Sequence, residues 1–315
     1  MKNIVVAGGG VLGSQIAFQA AYCGFDVTIW LRSEGSIGRT KPKLEQLRKT
    51  YLETIDAMAA AAEGNTLQDW ALGISDYEGF DPVRCKARAE AAYASIRLEL
   101  NAAKAVADAD LVIESMAENA KDKVAFYRML APLLPEKTIL VTNSSTLLPS
   151  EFAKDTGRPD RYLALHFANS IWKNNTAEVM VQAKTSQTAF HAVMDFAEKI
   201  RMIPLPVHKE KSGYLLNSML VPMLFAAMDL YVCGVSDPQS IDLAWTRGTG
   251  APKGPFRILD TVGLTTAHNI VRQYVKLPRF LAPYHFREMD KMLRQYIDAG
   301  KLGASAGEGF YRYKD

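Results

Sequence analysis

Apolar residues recur along this chain in two rhythms. Short runs rich in Val, Ile and Leu stand at residues 4–7, 27–31, 111–114, 139–142, 162–166, 177–181 and 202–207. Helical stretches separate them, beginning with the Ala-rich segment 14–22. Such alternation predicts a parallel sheet joined by crossover helices. The interval from Arg32 to Asp110 is longer than a simple crossover. Its Ala-, Lys- and Glu-rich pattern, interrupted at Gly64 and around residues 73–82, reads as helices projecting from the sheet. Beyond Pro206 the strand rhythm stops. Residues 213–233, 238–247, 255–270 and 287–299 carry helical patterns instead, with Ser236 or Asp237 placed to cap the helix that Pro238 opens.

The first apolar run leads straight into Gly8-Gly9-Gly10-Val11-Leu12-Gly13, so a strand meets G-x-G-x-x-G and then a helix. Gly8 permits the tight turn, Gly10 lets backbone approach a pyrophosphate, and Gly13 lets the helix pack on the strand. The helix start at Val11 and Leu12 then offers free N–H groups and the positive end of its dipole to phosphates. A dinucleotide site is expected. The fold expected is α/β: a Rossmann-type doubly wound, mostly parallel sheet over residues 1–206, with a helical excursion at about 33–110, then an all-α domain over 207–315.

The end of the second strand bears on which dinucleotide is bound. An NAD enzyme usually places Asp or Glu there to bind the ribose hydroxyls. This chain has Leu31 at that place, followed by Arg32 and Ser33. A guanidinium suits a 2′-phosphate, and no carboxylate is left to repel it, so NADP(H) is favoured with NAD(H) as the alternative.

Composition narrows the classes. With 48% hydrophobic and 23% charged residues over a length of 315, the chain suits two globular domains. A net charge of +3, spread out rather than gathered in blocks, argues against a nucleic-acid partner. No uninterrupted apolar stretch reaches the roughly 20 residues of a membrane span. Residues 214–233 come nearest, but Asn217, Pro222 and Asp229 mark a buried helix of a soluble domain. No secretory leader pattern is seen. Cys23, Cys85 and Cys233 are far apart and form no metal spacing, so reduced, buried or partly buried thiols in a cytoplasmic protein are expected, with no metal.

Three segments fall at the carboxyl ends of predicted strands, where open α/β sheets build their sites: Asn143-Ser144-Ser145, Leu165-His166-Phe167-Ala168-Asn169 and Ala177-Glu178-Val179. Gly213-Tyr-Leu-Leu-Asn217 adds an amide from the helical part. Taking hydride from carbon requires the attached oxygen to lose its proton, so a base of near-neutral pKa must be within reach. Histidine fits, and a carboxylate partner fixes its orientation. The remaining histidines have other readings: His191 borders an amphipathic helix, His208 is exposed among charges, and His268 and His285 have no carboxylate–hydroxyl group nearby in sequence.

N-S-S, L-H-F-x-N, A-E-V, G-Y-L-L-N, G-T-G-A-P-K-G-P-F and the terminal G-E-G-F-Y-R-Y, in this order and spacing, resemble the 3-hydroxyacyl-CoA dehydrogenase family and its diketoreductase branch. The resemblance implies an oxidoreductase acting on the 3-hydroxy or 3-keto carbon of an acyl-CoA or related β-keto compound. It implies His166 as general acid/base, Glu178 as its orienting partner, and Ser145 and Asn217 as donors to the reacting oxygen. Asn169 would border the nicotinamide, and Glu118, Lys123, Asn143 and Lys301 would lie along the cofactor. Three departures stand out: the missing acid at the second strand, Ser170 where the CoA enzymes usually carry Pro, and the extended 33–110 region. In that region Lys41, Lys43, Arg48 and Lys49 read as a solvated helix face or as phosphate contacts. A free diketone or hydroxy acid is therefore an alternative substrate. A dinucleotide-binding structural or sensor protein that has lost the chemistry, as crystallin relatives have, is an alternative class. The apolar run Met219, Leu220, Val221, Met223, Leu224 and Phe225 points to a homodimer through the helical domain.

Overall fold

Strand β1 (Asn3–Ala7) enters helix α1 (Val11–Tyr22), which returns the chain to β2 (Asp26–Trp30) beside it. The two strands pair in parallel with Ala7 opposite Trp30, so their carboxyl ends lie at one edge of the sheet. This computed structural model describes residues 1–64, 66, 70–278 and 280–313, and part of the excursion, residues 65 and 67–69, lies outside them. The chain forms two compact units, Met1–Leu215 and Leu216–Asp315.

The excursion does not stand away from the first unit. Helix α2 (Glu34–Glu63), capped by Ser33, and α3 (Pro82–Ser95), capped by Asp81, pack on each other and on α1. Buried Gln19 of α1 ties them in, accepting from the Tyr51 hydroxyl at 2.5 Å and donating to the Gly73 and Ile200 carbonyls at 2.8 Å. The chain then returns through β3 (Arg97–Glu99), a strand the apolar pattern does not foresee because its three residues are half-buried or exposed.

Helix α4 (Ala102–Val106), β4 (Leu111–Glu114), α5 (Ala120–Leu130), β5 (Ile139–Thr142), β6 (Tyr162–Phe167), β7 (Thr176–Met180), α6 (Gln187–Lys199) and β8 (Ile203–Val207) complete the unit. The sheet order is β3-β2-β1-β4-β5-β6-β7-β8. Neighbours pair in parallel except β6 and β7. The winding reverses between β1 and β4, where doubly wound sheets open a ligand crevice. β8 is the edge strand, so Pro204 and Pro206 forfeit few ladder bonds.

The second unit is helical: α7 (Leu216–Val232), α8 (Pro238–Thr249), α9 (Pro255–Val262), α10 (Leu264–Arg272) and α11 (Phe286–Asp298). Asp237 is the residue that caps α8. The helix expected over 255–270 is split at Gly263, whose φ of +92° suits glycine and ends α9. Buried Asp242 accepts the N–H groups of Phe256 and Arg257 at 2.7 and 3.1 Å, anchoring the start of α9. Leu224 and Phe225 lie in this unit's core, whereas Met219 is 67% exposed.

Candidate active site

The antiparallel pairing of β6 with β7 sets His166 directly opposite Glu178. Their exposures are 7% and 4%, so the pair is shielded from bulk water. His166 Nδ1 lies 2.9 Å from Glu178 Oε2, and Nε2 lies 3.0 Å from Ser145 Oγ. The other oxygen, Oε1, accepts the Leu215 N–H at 2.8 Å. An ionised carboxylate only accepts, so the ring proton belongs on Nδ1 and the Nε2 lone pair faces the Ser145 hydroxyl. That arrangement can take a proton at Nε2 and return it.

The Tyr214 ring stacks on the imidazole, with centroids 4.4 Å apart and planes 14° from parallel. Its hydroxyl donates to the Ser144 carbonyl at 2.7 Å. Burial, reinforced by Glu118 and Glu178, pushes this phenol far above its usual range, so it remains a neutral donor. Gly213 and Tyr214 have φ of +81° and +51°, a double left-handed turn that delivers Tyr214 and Leu215 to the pair. The helix expected from 213 therefore starts at Leu216.

Around Ser145 the loop is held by Glu118. Its Oε1 accepts from Ser144 Oγ at 2.5 Å, Thr146 N at 3.0 Å and Thr146 Oγ1 at 2.9 Å. Burial would raise this carboxyl, but those donors and the Lys123 ammonium outweigh it and hold it below the usual range. Lys123 is itself buried, its Nζ 2.6 Å from Glu114 Oε1 and 3.6 Å from Glu118 Oε2. Glu114 also accepts from Tyr127, Thr142 and the Met116 amide. Lys123 thus acts from behind the strand ends. Asn143 Oδ1 accepts the Phe167 N–H at 3.2 Å, joining the ends of β5 and β6.

The glycine turn fits a dinucleotide. Gly8 has φ of +117°, and a Cβ there would sit 2.5 Å from the Ser115 carbonyl oxygen. A Cβ on Gly13 would lie 2.2 Å from the Gly8 oxygen, whereas one on Gly10 would meet open space. Helix α1 begins beyond Gly10 with no side-chain cap, leaving its first N–H groups for an anion. Beside the turn lies a cavity of about 250 Å³. Arg32, Ser36, Arg39 and Lys43 line it, with Asp122 the acid among its walls. Leu31 is buried. A second cavity of about 210 Å³ lies toward the other end of α2, between Thr54, Met58, Ala61, Trp70 and Lys173.

Comparison with known proteins agrees with this geometry over the whole chain. Residues 3–211 match the NAD binding domain of 3-hydroxyacyl-CoA dehydrogenase, and residues 213–313 match its C-terminal domain. The chain belongs to the 3-hydroxyacyl-CoA dehydrogenase family. It is an oxidoreductase of that family, whose first domain binds NAD. Human mitochondrial hydroxyacyl-coenzyme A dehydrogenase is 31% identical over 315 residues, covering 100% of this chain and 92% of the relative. A probable 3-hydroxybutyryl-CoA dehydrogenase of Bacillus subtilis (strain 168) is 30% identical over 323 residues, covering 100% and 98%. Among solved structures, a diketoreductase described as performing substrate-directed dual catalysis of dicarbonyl compounds is 46% identical. It covers 99% of both chains with a TM-score of 0.84.

Of the residues singled out from sequence, Ser145, His166 and Glu178 form one hydrogen-bonded run, with Glu118 and Asn143 fastening the strand ends around it. Gly8, Gly10, Val11, Leu12, Gly13 and Arg32 surround the turn. Ser33 caps α2, its hydroxyl accepting the Ser36 N–H at 3.3 Å, and Ser36 stands in the cavity wall. Asn169 is exposed and accepts from Asn174 through its carbonyl. Asn217 and Lys301 belong to the second unit, Asn217 half-buried in the first turn of α7 and Lys301 paired with Glu308 at 2.9 Å. Tyr214 and Arg39 were not singled out, although Tyr214 stands inside the G-Y-L-L-N motif. Ser36, Arg39, Thr40 and Lys43 recur at helical spacing from the Ser33 cap, which places them on one face. Arg48, by contrast, pairs with Glu45 and Glu90. Cys233 is exposed rather than buried. His268 and His285 do have carboxylate partners, Asp290 and Asp229, from distant parts of the chain.

Proposed function

We propose that this chain moves hydride between NADP(H) and the 3-keto or 3-hydroxy carbon of an acyl-CoA or related β-keto compound, with His166 as general acid/base. The observation that carries this reading is the Ser145–His166–Glu178 run, with contacts of 3.0 and 2.9 Å. When bound, the nicotinamide dinucleotide supplies or accepts the hydride. The first turn of α1 holds its pyrophosphate, and Arg32, Arg39 and Lys43 receive a 2′-phosphate where Leu31 replaces the usual acid. His166 gives a proton to the ketone oxygen during reduction and takes it back during oxidation. Glu178 keeps the ring proton on Nδ1 and orients the imidazole, while Ser145 and Asn217 donate to the reacting oxygen. Lys301 and Asn169 complete the cofactor's surroundings. The test follows nicotinamide absorbance with acetoacetyl-CoA and with free diketo esters, using both cofactors. NADPH should exceed NADH in kcat/KM, and Arg32→Ala should narrow the gap. A wild-type preference for NADH refutes the cofactor assignment, and tight dinucleotide binding without turnover of any substrate favours the silent binding protein.

A free dicarbonyl substrate is the second reading, supported by the loop after His166. Ser170, where the resemblance calls for proline, has φ of +59° and donates its N–H to Gln15 at 2.8 Å. Proline holds φ near −65° and has no N–H, so this loop follows a different path. The 46% identical diketoreductase points the same way. Faster turnover of free diketo esters than of acetoacetyl-CoA would establish it.

The chain is further proposed to work as a homodimer through its helical unit, whose Met219 and Leu243 are 67% and 57% exposed. Sedimentation as a monomer at micromolar concentration would remove the dimer. No helix among the described residues is long and apolar enough to cross a membrane. The free thiols suit a reducing compartment such as the cytoplasm.

A further inference from the structure

Within the second unit, α7 and the turn before α11 bring three metal-ligating atoms to one point. Asp229 lies on α7, and Cys233 follows one turn later, its N–H donating to the Asp229 carbonyl at 3.0 Å. His285 stands immediately before α11. Its Nδ1 is 2.9 Å from Asp229 Oδ1 and 3.2 Å from Cys233 Sγ, while that sulfur is 4.0 Å from Asp229 Oδ2. Asp229 Oδ1 also accepts the His285 backbone N–H at 2.7 Å, which fixes how the imidazole approaches.

Here carboxylate and sulfur converge on the same nitrogen, and one N–H serves both poorly. A cation at their centre satisfies all three. Zinc binds nitrogen and carboxylate oxygen at about 2.0–2.2 Å and sulfur at about 2.3 Å, so tetrahedral ligand atoms stand roughly 3.3–3.6 Å apart. Nδ1 lies 2.9 Å from Asp229 Oδ1 and 3.2 Å from Cys233 Sγ, slightly inside those spacings, and the sulfur lies 4.0 Å from the other carboxylate oxygen, Oδ2, slightly outside them.

We propose that Asp229, Cys233 and His285 bind a divalent transition-metal cation of the zinc class. The thiol releases its proton to solvent as the sulfur ligates, and the imidazole binds in its neutral form. Cys233 is exposed and its partners are half-buried, so water completes the fourth position. The bound ion ties the C-terminal end of α7 to the start of α11.

The test uses the full-length protein, stripped with a chelator and titrated with Co²⁺ as the spectroscopic probe. One equivalent per chain should bind, with a near-ultraviolet sulfur-to-metal band and the visible bands of tetrahedral cobalt, and Zn²⁺ should displace it. Cys233→Ser should lose the sulfur band and weaken binding about a hundredfold or more, since even outer-shell changes cost up to that. This variant should retain dehydrogenase activity, which shows that it folds. Zn²⁺ should raise the Tm of the wild type but not of Cys233→Ser. Absence of stoichiometric cobalt uptake by the wild type, or a sulfur band that survives in Cys233→Ser, overturns the proposal.

Discussion

Glu178→Gln isolates the carboxylate's contribution to proton transfer. The replacement keeps the side chain's size and can still accept the Leu215 N–H, but then presents an N–H to His166 Nδ1. The imidazole must shift its proton to Nε2, where it faces Ser145 and cannot serve as a base. The lost attraction can be bounded. At 2.9 Å, a full charge pair in a medium of effective dielectric near 20 is worth about 6 kcal/mol. With the proton roughly half transferred at the transition state, about 3 kcal/mol of that is differential, or about a hundredfold in rate. The wrong tautomer adds to this; in a Ser-His-Asp triad the equivalent change costs about 10⁴. Single-turnover oxidation should therefore slow by about 10² to 10⁴, while dinucleotide affinity and Tm stay near wild type. A folded variant whose single-turnover rate stays within about threefold of wild type would refute the role assigned to the pair.

Other perturbations test what supports the site. Lys123→Met strands the Glu114 carboxylate, buried on every side, and should cost about 3–5 kcal/mol, read as a Tm fall of roughly 10 °C. Adding Glu114→Gln should recover part of that loss; no recovery would mean the charges are not coupled. Asp110 is a pH-dependent fastener at the start of β1. Burial alone would raise its carboxyl, but Lys137 and the Lys2 and Asn3 amides hold it down to about 2. Its folded-state pKa is below the unfolded value, so its stabilisation is full above about pH 4 and disappears as pH falls through 2. After solvent screening, Asp110→Asn should cost about 1 kcal/mol at neutral pH and only a small part of that at pH 2, where the folded-state carboxyl is half protonated, by chemical denaturation.

Local signals made much of this legible. The glycine turn, the run of strands from β4 to β8 and the residues of the Ser145–His166–Glu178 pathway all stand in continuous stretches with their own strand or turn chemistry. What escaped depends on contacts remote in sequence or on short elements. β3 is three half-buried or exposed residues that gain their strand state by pairing with β2. Tyr214 reaches His166 through backbone angles that ordinary helical patterning obscures. His285 meets Asp229 from 56 residues away, a separation no spacing rule addresses. Ser33 has a second use the strand-end pattern does not reveal, as the cap of α2.

Helix α2 is a rod of 30 residues, about 45 Å long at 1.5 Å per residue. Ser36, Arg39 and Lys43 near its start line the cavity beside the glycine turn, while Thr54, Met58 and Ala61 farther along border the other cavity. The walls of two separate cavities are thus written on different turns of a single element. Mutational drift at either end can reshape one cavity while the intervening turns, packed on α1 and α3, insulate the other.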